Sequence, residues 1–164
     1  MGNIRMNLPE NDYQILRLTD EFYRAYPNPP YREILKKEQR AYNCLLFQSH
    51  YGYFICVPYR SEIHHKYAFH FSGTVRSKTH KSGLDYSKIV IITKTEYIGA
   101  KDALIDKDEF NETMIHLDRI KKEALDFVEA YVAHMNGTRT LHKREFERRY
   151  NYSPLKYFHK ELEI

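Results

Sequence analysis

Between Leu117 and Met135 apolar side chains stand at Leu117, Ile120, Ala124, Val128, Val132 and Met135, every three or four residues. That spacing gathers them on one stripe of an α-helix, and a stripe of that length has to be buried against another layer. Asn111 is expected to cap this helix, with Glu112 at its positive end and Gly137 closing it, for a helix of about 25 residues. Thr140 is expected to cap a second helix running to Tyr150, and Ser153-Pro154 to open a last one, with proline where a missing N–H costs nothing.

The layer that the stripe covers lies earlier in the chain. Tyr13 to Leu18 has the pattern of a short strand, and Thr19 then caps a brief helix from Asp20 to Tyr26 that Pro27 ends. Asn28-Pro29-Pro30 is a rigid turn, and Tyr31 to Gln39 is expected to form one or two helical turns carrying Lys36 and Lys37. Arg40 to Gln48 and Tyr53 to Val57 form a hairpin through the turn at His50-Tyr51-Gly52, and Pro58, with no N–H to give, is expected to end the second strand. Tyr67 to Phe71 is a further strand, and Ile89-Val90-Ile91-Ile92 is a β-branched run typical of a strand buried on both faces. Glu96 to Ile98 and Ala103 to Ile105 are read as shorter strands. Residues 1–11 read as a loose leader, 13–105 as mainly strands and 111–164 as helices, all within one domain spanning 1–164. Strands first and helices last implies an α+β fold and not a doubly wound sheet.

Charge and aromatic residues set the function classes. The net charge is +4, and between Arg60 and Lys81 five Lys/Arg and four His face one acid, Glu62. Tyrosine occurs 15 times and tryptophan never. A basic, tyrosine-rich strand and loop suit a phosphate backbone and unstacked bases, although a solvated loop between two strands has the same composition. No apolar run reaches the roughly 20 residues of a membrane span and no signal-peptide core stands at the N-terminus, so a cytoplasmic protein is expected. Cys44 and Cys56 form no metal spacing and are expected to be reduced thiols.

The chemistry follows partly by elimination. His64, His65 and His70 invite a metal reading, but no carboxylate–histidine spacing accompanies them, and neither a phosphate-binding glycine loop nor a nucleophile elbow is present. Acids are scarce in the central region, so a Mg²⁺ nuclease built on clustered carboxylates is disfavoured, and no cofactor is expected. What remains is phosphodiester chemistry in which an RNA 2′-hydroxyl attacks its own phosphorus while cations stabilise the developing charge. Lys36, Lys37, Tyr59, Lys66, Arg76, Lys78, Lys81 and Lys88 are the candidate RNA contacts. A non-catalytic RNA-binding protein, or a partner-binding domain with incidental basic loops, would carry the same groove.

Several stretches in order resemble the toxins of type III toxin–antitoxin systems, the ToxN/AbiQ group and especially its CptN/TenpN branch. Arg40-Ala41-Tyr42 looks like the family's Lys-x-Phe, and Tyr53 with Pro58-x-x-Ser61 resembles its Tyr-x-x-Pro-Leu-Thr/Ser-Ser. His65-Lys66-x-Ala68-Phe69 and Gly83-Leu84-Asp85-Tyr86-Ser87-Lys88 look like the CptN/TenpN branch, and the long late helix fits. The resemblance spans most of residues 13–135, through short motifs. It implies a twisted antiparallel barrel-like sheet flanked by helices, similar to MazF/Kid, in an endoribonuclease that leaves a 2′,3′-cyclic phosphate without metal. It also implies restraint by a pseudoknotted antitoxin RNA that the toxin processes and binds in a closed RNA–protein assembly, with cellular and phage RNA as substrates and a role in phage defence. By position Ser61 matches the family serine and Arg40 the family lysine, while Arg60 replaces Thr or Ser and Glu62-Ile63 stands where Pro-Lys is usual. Ser61, Arg40 and Arg60 are therefore the expected catalytic residues, with His64 or His65, or Ser61 with a neighbour, moving the proton.

Overall fold

The computed structural model describes residues 13–36 and 42–164. Two sequence-derived candidates, Lys37 and Arg40, lie outside the described residues. The fold is mixed α+β: among the described residues a six-stranded antiparallel sheet and five α-helices, with the long helix in the C-terminal part. The sheet does not close into a barrel. Its strands are β1 (Gln14–Arg17), β2 (Asn43–Gln48), β3 (Phe54–Arg60), β4 (Ala68–His70), β5 (Gly83–Asp85) and β6 (Val90–Ile92). The order is β1-β2-β3-β5-β4, and β6 pairs with β3 beside β5.

β3 is the axis of this sheet. One edge pairs with β2 along five residues, from Gln48↔Phe54 to Cys44↔Pro58. The other edge is shared: Phe54, Ile55 and Cys56 pair with β6, whereas Tyr59 and Arg60 pair with β5. Pro58 therefore does not end the strand, contrary to the sequence reading. It cannot exchange two N–H···O bonds with Cys44, so its nitrogen faces the other edge. There β6 has ended and β5 has not begun, and the missing N–H leaves no gap in a ladder.

β5, which begins with glycine, is a strand that sequence reading did not assign. Gly83 stands opposite both Arg60 of β3 and His70 of β4. A Cβ there would lie 2.0 Å from the Phe69 carbonyl oxygen, so the residue is glycine because β4 comes close, not because the chain turns. The stretches 96–98 and 103–105 are not strands. The first is a 3₁₀ turn, Thr95–Tyr97, followed by a single bridge from Ile98 to Leu18. The second is held by one backbone bond, Ala103 N–H to the Ile15 carbonyl at 2.8 Å.

The helices are α1 (Asp20–Ala25), α2 (Lys107–Ile115), α3 (Leu117–Asn136), α4 (Lys143–Tyr150) and α5 (His159–Leu162). Thr19 caps α1 through its hydroxyl, and Gly137, at φ 73°, closes α3 in the left-handed region, both as expected. The single helix expected from Asn111 is two. Asp106 stands at the start of α2, Asn111 lies inside it, and the chain breaks at His116, whose ring is drawn against Phe69 at 5.2 Å. Thr140 is likewise not the cap of α4; His142 is, its Nδ1 accepting from the Arg144 N–H at 3.2 Å. Ser153 does open the last segment, by accepting from the Leu155 N–H at the start of the Pro154–Tyr157 turn. No helix among the described residues is long and apolar enough to cross a membrane.

β3 is buried on both faces, which is why its apolar run is continuous. Cys56 and Pro58 share a small cavity with Phe22 and Tyr23 of α1, so even-numbered positions face that side. Tyr59 turns the other way, and its hydroxyl meets Thr113 of α2 at 2.9 Å. The stripe of α3 is buried at Leu117, Ile120, Ala124, Phe127, Val128 and Tyr131. One contiguous core results, running from Ile15 to Leu162. Gly83→Ala should lower stability by about 2 kcal/mol, the cost of forcing β4 off β5 to admit a methyl group; denaturant unfolding at fixed pH measures it.

Candidate functional site

At the end of β3 the even-numbered face carries Arg60, directly opposite Gly83 and diagonal to Asp85 two residues further along β5. With no side chain at Gly83, the guanidinium reaches across, and Arg60 Nη1 donates to Asp85 Oδ2 at 2.8 Å. Asp85 has no solvent exposure at all, and a bare carboxylate could not be held there. Its other oxygen is satisfied by local sequence. Ser87, two residues on, donates to Asp85 Oδ1 from its backbone N–H at 3.0 Å and from its hydroxyl at 2.6 Å, the turn that aspartate makes with its own chain. His65, from the loop between β3 and β4, completes the group with Nε2 at 3.2 Å from Asp85 Oδ1 and 3.2 Å from Ser87 Oγ. Burial works to raise the Asp85 pKa, but the hydrogen bonds from His65, Ser87 and Arg60 outweigh it and hold the carboxyl below its ordinary value.

The orientation of His65 limits what the group can do. Its Nδ1 accepts from the Tyr67 backbone N–H at 3.0 Å, so the neutral ring carries its proton on Nε2, toward Ser87 and Asp85. A serine-hydrolase relay needs the carboxylate on one ring nitrogen and the serine on the other. Here both stand at Nε2, and the group is an anchor for His65 and Arg60, not a relay for acyl transfer.

Cations surround this anchor. The Lys88 ammonium donates to the Tyr152 carbonyl at 2.7 Å. Burial lowers its pKa, against the pull of Asp85, and the neighbouring Arg60 lowers it further. Arg149 of α4 sits over the Tyr67 ring at 5.9 Å and binds Glu145 at 2.6 Å. Lys66 lies over the same ring at 5.6 Å. Arg60 and His65 keep 26% and 34% of their side-chain surface in solvent, so both are reachable by a ligand.

The other sequence candidates scatter. Ser61 follows β3 immediately, next to Arg60, and its hydroxyl makes no hydrogen bond among the described residues. His64 turns to Glu62 at 3.5 Å, whose other oxygen takes His80 Nδ1 at 2.7 Å. His70 bonds the His65 carbonyl at 2.8 Å, so the three histidines diverge. Among the described residues no His, Cys, Asp and Glu side chains gather as a metal-binding group. Tyr59 must be corrected: it is buried, bonded to Thr113 and packed near Phe71, and offers no face to a base.

Arg76 lies in a loop held by the acids of α2 and by Asp106 just before it. The Ser72 and Gly73 N–H groups donate to Glu112, the Val75 N–H to Asp108, and Arg76 binds Asp106 at 2.9 Å and approaches Glu109 at 3.8 Å. Lys78 and Lys81 on this loop stay exposed. Lys36 is exposed as well, its ammonium over the Tyr23 ring at 5.5 Å. Sequence reading gave Asp85, Ser87 and Arg149 no part in the site. The available signal was the Asp-x-Ser spacing after a glycine strand. Against known proteins, the chain matches no family model, no curated protein and no solved structure.

Asp85→Asn should cost about 3 kcal/mol at neutral pH, because Arg60 loses the charge it is held by. A carboxyl held below its ordinary value adds stability in full above the unfolded pKa of about 3.9 and loses it as pH falls through the folded value. The gap between wild type and Asp85→Asn should therefore narrow below about pH 4, as urea unfolding across pH would show.

Proposed function

We propose that the chain is an endoribonuclease toxin of the type III kind, cutting RNA by attack of the 2′-hydroxyl and restrained by a structured RNA. The observation that carries this reading is the fixed guanidinium of Arg60. Only one of its five N–H donors is seen on Asp85, and the buried carboxylate orients the rest of the fork for a phosphate. Lys88 adds charge beside it, and Ser61 with its uncommitted hydroxyl follows directly in the chain. A phosphodiester bound there gains stabilisation as negative charge grows on its oxygens, which is where such donors act most strongly. His65 positions the group through Asp85 and Ser87. Arg40 belongs to this reading by family position alone. A MazF/Kid-like ancestry of the sheet, a pseudoknotted antitoxin partner and a closed RNA–protein assembly are parts of the same proposal, and the resemblance of residues 13–135 is their support.

One observation favours the second reading, an RNA-binding protein without cleavage. Both ring nitrogens of His65 are engaged within the protein, so the one histidine in the cluster is not free to move a substrate proton.

Digestion of a mixed RNA pool in EDTA separates the two. The proposal expects cleavage to 2′,3′-cyclic ends that persists in EDTA, with Arg60→Lys and Ser61→Ala each slowing it by roughly 10²-fold while folding is kept. RNA that is bound but never cut, with an intact fold, would establish the second reading instead. In either case affinity should fall with salt, by a log–log slope of about −0.7 per phosphate contacted on single strands. Binding that stays flat from low to high salt would contradict both.

A further inference from the structure

Beside the cations anchored at Asp85 stands a tyrosine whose ring nothing covers. Tyr152 is 71% exposed, more than any other Tyr or Phe among the described residues. Among those residues its ring packs on no other ring or cation, and its hydroxyl makes no hydrogen bond. The backbone that carries it is held on both sides. Tyr150 before it is buried, its hydroxyl donating to the Phe127 carbonyl at 2.6 Å, and Ser153 after it is buried and caps the Pro154–Tyr157 turn. The Ser153 N–H closes on the Tyr150 carbonyl at 3.0 Å, so Tyr152 occupies a tight turn between two buried residues.

An exposed tyrosine alone is ordinary on a protein surface. What gives this one a ligand is its tie to Lys88. Lys88 stands three residues after Asp85, at the end of the Tyr86–Lys88 turn that Asp85 caps. Its ammonium donates to the Tyr152 carbonyl at 2.7 Å, which uses one of three N–H donors. The two carboxylates whose charge reaches Lys88 are committed elsewhere: Asp85 to Arg60, His65 and Ser87, and Glu33 to Tyr157 and Lys156. A cation with donors to spare is thereby joined to an uncovered aromatic face. Single-stranded RNA presents the complement, a phosphate followed by an unpaired base, whereas a duplex keeps its base faces stacked inside.

We propose that Tyr152 stacks an unpaired base of bound RNA, next to the phosphate held by Arg60 and Lys88. This rests on the reading of the Arg60 end of β3 as a phosphate site, and it adds that the site selects single strands. Stacking uses the ring face and not the hydroxyl, so any base is accepted and phenylalanine or tryptophan serves as well.

The chain has no tryptophan, so Tyr152→Trp carries a unique fluorophore at the proposed contact. Its emission is followed while a 2′-O-methyl octaribonucleotide is added, single-stranded or annealed to its complement. The affinities of wild type, Tyr152→Phe, Tyr152→Ala and Arg60→Lys are measured in parallel. The expected result is saturable quenching by the single strand and none by the duplex. Tyr152→Ala should weaken single-strand binding roughly tenfold while Tyr152→Phe leaves it unchanged. Its melting temperature should equal that of wild type, because the ring is exposed and the carbonyl that Lys88 binds remains. Single-strand binding that Arg60→Lys weakens, with no quenching at saturation and no loss in Tyr152→Ala, would overturn the stacking proposal and leave the phosphate site standing. Quenching with affinity untouched by Arg60→Lys would support stacking and count against the phosphate site. A wild-type protein that binds no RNA would overturn both.

Discussion

A carboxylate with no access to water needs partners for both of its oxygens, and the local architecture around Asp85 is arranged to supply them. Ser87 comes from the turn that follows β5, Arg60 from the end of β3, and His65 from the loop leading to β4. The end of β3, the loop that follows it and the turn after β5 are thereby fixed to one another by a single charge. The cost of burying that charge is offset only with all three in place. The same arrangement leaves the Arg60 guanidinium partly in solvent, with Lys88 beside it.

The fold makes this possible through the way β3 changes partners. Its first half lies in a conventional three-strand layer with β2 and β6. Its second half leaves β6 and takes up β5, with Pro58 at the changeover. That switch sets Arg60 beside a glycine, and the glycine gives the long side chain room to reach Asp85. The helices cover the sheet without touching this end in the same way: α2 spends its acids on the 72–76 loop, while α4 brings Arg149 to the Tyr67 ring. Basic charge that looked continuous in sequence is thus divided. One portion is cancelled by α2, and the other is left free beside Asp85.

Much of this was legible in the residues and some was not. The Leu117, Ile120, Ala124 and Val128 stripe, the Thr19 and Gly137 caps and the Tyr53 to Val57 strand follow from periodicity and local backbone chemistry, and the structure has them. The break at His116 has no proline or glycine to announce it, and it comes with a ring contact to Phe69 that is tertiary. The strand that begins at Gly83 went unassigned because the reason for that glycine is the approach of another strand, which sequence does not display. At the site, Arg60 and His65 stood out by charge and by their place after Pro58, and the structure brings both to Asp85, with His65 as an anchor in place of the proton carrier expected. Asp85 was missed because nothing around a lone aspartate in the sequence marks it; its value lies in a burial that only the folded chain creates. Tyr59 was misassigned for the converse reason, since an aromatic residue beside cations looks like a stacking platform until its hydroxyl is seen on Thr113.

The central claim is that the Asp85-anchored end of β3 is where RNA phosphate is held. The most direct measurement is a ¹H–¹⁵N titration of the protein with a short, non-cleavable 2′-O-methyl oligoribonucleotide, following the Arg60 side-chain Nε–H together with the Ser61, Ser87 and Lys88 amides. The account predicts that these signals move together and saturate at one concentration, with the Ser72, Gly73 and Val75 amides unmoved because Glu112 and Asp108 already occupy them. Saturable shifts in the 72–76 loop with an unmoved Arg60 side chain would contradict it.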